Sequence, residues 1–120
     1  MNNLNHKKIK VVLMLLFILS ILSIAASAQD TLKIKTSTKC HDCKDRIEEY
    51  LSFEKGVKYS NVDYAAQTVY VVIDTTKTNA EKIRQAIVKT GYDADTLLAD
   101  QKAHNKLPKC CQKDHGTHHD

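Results

Sequence analysis

The stretch TLKIKTSTKCHDCKDRIEEYL, Thr31 to Leu51, changes its period halfway along. In its first half Leu32, Ile34, Thr36 and Thr38 fall on one face and Lys33, Lys35 and Lys39 on the other, the pattern of a half-buried strand. From Asp42 the spacing becomes helical. Cys43, Ile47 and Leu51 share a face with Tyr50 alongside, Asp42 and Asp45 put acid near the start, and Gly56 supplies a stop. At the junction of the two periods stand Cys40 and Cys43, with His41 and Asp42 between them.

Downstream, VKYSNVDY (Val57 to Tyr64) and TVYVVID (Thr68 to Asp74) read as a hairpin joined through Ala65, Ala66 and Gln67, with Val69, Val71 and Ile73 alternating cleanly. A second helix is expected next. Thr78 and Glu81 have capping-box spacing, Ala80, Ile83 and Ile87 line one face, and Gly91 sits where a left-handed cap belongs. DADTLLAD, Asp93 to Asp100, is expected to add a last strand. The order β-α-β-β-α-β predicts an α+β, ferredoxin-like fold: a four-stranded antiparallel sheet with both helices on one face. A domain this small buries only about 60% of its unfolded surface, so a bound ion or a disulfide would add stability.

The chain opens with a basic stretch, MNNLNHKKIK, followed by the uncharged run VVLMLLFILSILSIAAS from Val11 to Ser27. With Ala26-Ser27-Ala28 as a small-x-small triplet, residues 1–28 are expected to be a signal peptide cleaved before Gln29; an uncleaved anchor is the alternative. The expected location is periplasmic or secreted. No other stretch is apolar enough to span a bilayer, so no membrane association is expected once the leader is gone.

The leader also carries Lys7, Lys8 and Lys10 and no acid, so the formal charge of +4 falls to +1 without it. That balance does not supply the basic surface a nucleic-acid binder needs. Enzymatic activity finds no support either: there is no serine nucleophile with plausible partners, no phosphate loop among three glycines, and no zinc-protease motif.

All four cysteines, Cys40, Cys43, Cys110 and Cys111, follow the leader. An even count in an exported chain normally suggests disulfides. The placement of the first pair suggests other chemistry. Cys40 lies in the loop after the first strand and Cys43 in the first helical turn, where unpaired N–H groups and the helix dipole favour anions. Thiolate is the metal-binding form, a helix N-terminus lowers a cysteine pKa, and two soft thiolates suit Cu(I) or Zn(II).

With these residues in place the chain resembles the heavy-metal-associated domain family of copper chaperones, metal-transporting P-type ATPases and periplasmic mercury-binding proteins. The resemblance spans about residues 31–98 and rests on TKCHDC, on KGV (Lys55 to Val57) and on TGYDAD (Thr90 to Asp95). It implies that Cys40 and Cys43 bind the metal, and that an exported single-domain member, expected to be a monomer, carries the ion to a metal transporter or another metal-binding protein. Cu(I) is the first choice and Hg(II) the second; Zn(II) would need further donors.

The sequence departs from the family pattern twice. Thr38 stands where methionine is usual and leaves a smaller, more polar plug beneath the loop. His41-Asp42 replaces small residues, and His41 is either a third ligand or a solvated loop histidine.

The domain is expected over residues 29–99, followed by a flexible tail over 100–120. That tail, DQKAHNKLPKCCQKDHGTHHD, has little apolar content and no helix or strand period, so it should be mobile. It nevertheless carries Cys110, Cys111, His115, His118 and His119, a Cys/His-rich composition associated with metal binding, against which stand a disulfide and solvated histidines. His104 is given no role. Competing functions for the whole chain are thiol–disulfide exchange through the Cys-x-x-Cys pair and an interaction module with a structural disulfide. Lys39, Lys44 and Arg46 beside the loop are candidates for guiding a partner.

Overall fold

A computed structural model describes residues 2–21 and 28–113. Helix α1 (Asn2–Ile21) spans most of the segment expected to be a leader, with Val11 to Leu19 exposed; among the described residues no helix is long and apolar enough to cross a membrane. The rest of the order is β1 (Gln29–Lys35), α2 (His41–Ser52), β2 (Val57–Asp63), β3 (Thr68–Asp74), α3 (Ala80–Lys89), α4 (Gln101–Asn105) and the 3-10 turn η1 (Lys109–Cys111).

The sheet is antiparallel with order β1-β3-β2, and Ile34 pairs Val69 while Val62 pairs Val69 from the other side. Alternation places Ile34, Val62, Val69, Val71 and Ile73 in the core. The helices supply Cys43, Ile47 and Leu51 from α2 and Ile83, Ala86 and Ile87 from α3. At about 25 cal/mol per Å² of buried apolar surface, this one layer of helix on sheet is the main stabilising term. The ferredoxin-like α+β architecture is as expected.

The fourth strand is not formed as expected. Its place beside β1 is marked by isolated bridges, Thr36 to Ala94 and Ala94 to Leu97. Asp95 explains this: it adopts φ 52°, turning the chain back, and its carboxylate accepts the Lys35 N–H at 2.9 Å while its own N–H donates to the Lys35 carbonyl at 2.8 Å. A side chain therefore takes the hydrogen bond that a continued ladder would have made.

The cap of α3 also differs by one residue. Asn79, not Thr78, is the N-cap, its Oδ1 accepting from the Lys82 N–H at 3.0 Å. Thr78 is buried instead against Gly56, where a Cβ would stand 2.7 Å from the threonine methyl. Gly91 does follow the α3 C-cap with φ 101°.

Residues 101–113, expected to be mobile, fold onto the domain. Asp100 caps α4 by accepting from the Ala103 N–H at 2.9 Å, and Leu107 and Cys111 join the core cluster. The missing helical period is no obstacle, because α4 is a single short turn held by specific polar links rather than by an apolar stripe.

Candidate metal centre

Cys40 is the N-cap residue of α2, in extended conformation, and its carbonyl accepts from the N–H groups of Cys43 (3.1 Å) and Lys44 (3.3 Å). This first turn places the Cys40 and Cys43 sulfurs 3.3 Å apart. Beneath the loop, Thr38 is fully buried and its hydroxyl has no hydrogen-bond partner, while its carbonyl accepts from the Gln67 amide at 3.0 Å. The plug expected at this position is therefore present, and it is polar.

The loop is not open. The η1 turn lays Cys111 2.9 Å from the Cys43 sulfur and 3.6 Å from that of Cys40, with the Cys110 sulfur 3.5 Å from Cys40 and 3.8 Å from Cys111. Cys43 and Cys111 are buried, Cys40 and Cys110 half-buried, and all four are free thiols. The ligand atoms of Cys40, Cys110 and Cys111 lie within 4.8 Å of one another, a soft donor set suited to a thiophilic ion.

Three links seat the tail. The Lys39 ammonium donates to the carbonyls of Gln112 (3.1 Å) and Lys113 (2.7 Å), and that of Lys113 pairs with Asp93 at 2.7 Å. The third link is His104, which sequence reasoning passed over. Its Nδ1–H donates to the buried Gly91 carbonyl at 2.9 Å, and its Nε2 accepts the Lys113 N–H at 3.3 Å, a pairing that defines the neutral Nδ1–H tautomer. The signal available in sequence was Gly91 itself: a Cβ there would lie 2.9 Å from the His104 nitrogen, so α4 packs directly on glycine backbone.

Charge is unevenly shared among the thiols. Burial pushes the Cys40 thiol up, but hydrogen bonds from the Cys43 backbone and from the Cys43, Cys110 and Cys111 thiols outweigh it and leave Cys40 below its ordinary value. Cys110 is raised, chiefly by its hydrogen bond with Cys40, and Cys111 is raised well above its ordinary range, first by burial and then by its hydrogen bond with Cys43. Tyr92, wholly buried against the cluster, is likewise raised by burial and then by the Cys111 and Cys43 thiols.

His41 points elsewhere: its Nδ1 lies 3.1 Å from Asp45, with both side chains exposed, and its ring meets Tyr64 edge-on at 6.5 Å. His115, His118 and His119 lie outside the described residues. Of the basic residues beside the loop, Lys39 holds the tail, and Lys44 is engaged with Glu48 (2.8 Å), Asn61 (3.0 Å) and the Val62 carbonyl (3.2 Å).

The heavy-metal-associated domain family matches residues 34–93, half of the chain, and the protein belongs to that family. A COP-associated protein from Helicobacter felis is 37% identical over 54 residues, covering 45% of this chain and 80% of its own length. A probable cation-transporting ATPase from Haemophilus influenzae is 35% identical over 69 residues, 58% of this chain, and the chain spans only 9% of that protein. Among solved structures, a CopZ metallochaperone superposes with a TM-score of 0.52 at 26% identity, over 54% of this chain and 98% of its own.

Proposed function

We propose that the protein is an exported carrier that captures one soft metal ion, Cu(I) first and Hg(II) next, on the Cys40 and Cys43 thiolates and passes it to a metal transporter or another metal-binding protein. The observation that carries this reading is the 3.3 Å pairing of these two sulfurs at the N-terminus of α2, in a chain of the heavy-metal-associated family. The helix terminus offsets part of the repulsion between two thiolates. The hydrogen bonds that hold the Cys40 thiol below its ordinary value favour its anion. Hand-off is ligand exchange, in which an acceptor's thiolates replace those of the carrier one at a time, so the role is binding rather than catalysis. Export rests on the basic and apolar leader, and likeness to a metallochaperone supports the carrier role.

The test is metal analysis of the reduced full chain after competition among Cu(I), Hg(II) and Zn(II), repeated on Cys40→Ser with Cys43→Ser. One bound soft ion in the parent and none in the variant is expected. Unchanged stoichiometry and affinity in the variant would overturn the proposal.

A further inference from the structure

A pair of sulfurs that holds an ion alone, in linear coordination, must stand apart by twice the metal–sulfur bond. At a bond of roughly 2.3 Å that is about 4.6 Å, whereas the edge of a tetrahedron of sulfurs around one ion is about 3.8 Å. Cys40 and Cys43 stand 3.3 Å apart, and the contacts that bring in Cys110 and Cys111 run from 2.9 to 3.8 Å. Cys40, Cys110 and Cys111 lie within 4.8 Å of one another and Cys43 touches Cys40 and Cys111, so the sulfurs are clustered as for one shared ion rather than spread as for a linear pair.

Nor is the second pair there by loose collapse. Lys39, immediately before Cys40, holds the carbonyls of Gln112 and Lys113, immediately after Cys111, while His104 and Asp93 fix the same segment from the other side. Leu107 and Cys111 are buried with the core. The chain has thus seated two further thiols over the mouth of the Cys40–Cys43 loop.

We infer that Cys110 and Cys111 are ligands to the same ion as Cys40 and Cys43, and that the tail is a strap standing where an acceptor's thiolates must enter. This rests on the carrier reading above and deepens it. On loading, S–H bonds break, metal–sulfur bonds form, and the protons leave to solvent, with no change of oxidation state. On transfer, the half-buried Cys110 is displaced first and Cys111 follows, each metal–sulfur bond being replaced by one to the acceptor. Because the strap is tethered, it competes at an effective concentration on the order of millimolar, so it slows loss of the ion to weak or dilute acceptors.

The experiment uses reduced full-length protein loaded with one Cu(I). X-ray absorption counts the sulfur neighbours, and an excess of a soluble bidentate Cu(I) chelator measures the extraction rate. The parent is expected to show three or four sulfurs. Cys110→Ser with Cys111→Ser should show two and release copper at least ten-fold faster. Cys110→Ser alone, at a half-buried site where folding is not at stake, should lose one sulfur and release faster than the parent. Sulfur counts and extraction rates equal to the parent's in these variants would overturn the strap. Failure of the carrier reading has a different signature: full copper binding by Cys40→Ser with Cys43→Ser.

Discussion

Gly91 meets both the ring and the backbone of His104: the glycine carbonyl accepts from the His104 Nδ1–H at 2.9 Å, and a Cβ on Gly91 would lie 2.9 Å from the His104 backbone nitrogen. Through this contact the end of α3 sets the height at which the C-terminal segment crosses the sulfurs.

Gly91→Ala is expected to destabilise the protein by about 1–3 kcal/mol, because alanine at φ 101° is strained and its methyl collides with α4 backbone. In a domain of this size each 1 kcal/mol lowers the Tm by about 4–8 °C, which thermal unfolding would register. The amide of His104, which donates to Asp100 at 2.8 Å, should lose hydrogen-exchange protection more than the amides of β3.

His104→Ala removes a buried ring and two hydrogen bonds. Local opening of residues 101–113 should become easier by about 1–3 kcal/mol. Native-state hydrogen exchange would show this as faster exchange in α4 and η1 with little change in α2 or the sheet. Equal loss of protection throughout would contradict a local pin.

Thr38→Val exchanges a buried, unpartnered hydroxyl for a methyl of the same shape. A gain of about 1 kcal/mol is expected, read as a higher Tm in the metal-free protein. A lower Tm would show that the hydroxyl has a partner in solution.

Acid should weaken the Asp95 and Asp93 anchors. Burial raises the Asp95 carboxyl, but the Arg84 guanidinium at 2.8 Å and the Lys35 N–H outweigh it and hold it below its ordinary value. Asp93 behaves likewise, with burial opposed by Lys113 and the Ala99 N–H. Depressed carboxyls stabilise fully above the unfolded value of about 3.9, and the contribution is lost as pH falls through the lower folded values. Urea midpoints measured downward from about pH 6 should therefore fall most steeply below about pH 4. Asp95→Asn should flatten that fall.

The domain core was legible in sequence because it obeys its periods. Ile34, the Cys43, Ile47 and Leu51 face, and the Val69, Val71 and Ile73 series are all buried as their spacing required. The fourth strand was misread because DADTLLAD has strand-like apolar content, while its conformation is decided by carboxylates: Asp95 takes the Lys35 N–H and Asp93 takes the Ala99 N–H. The folded tail was illegible for a related reason. Its position depends on one histidine, two lysines and a glycine contact, none of which repeats along the chain. The cysteines of the first loop could be picked out by spacing; their enclosure by Cys110 and Cys111 required the distances.

The family match ends at residue 93, and the segment bearing Cys110 and Cys111 lies wholly beyond it. The extra sulfurs are thus an appendage to an inherited module. Leu107 and Cys111 of that segment are nonetheless buried with the core, so a change there reaches the hydrophobic layer as well as the sulfurs. The segment that encloses the first cysteine pair and the layer that carries the fold therefore share residues, and a domain trimmed to the shared span would lose part of its core along with the second cysteine pair.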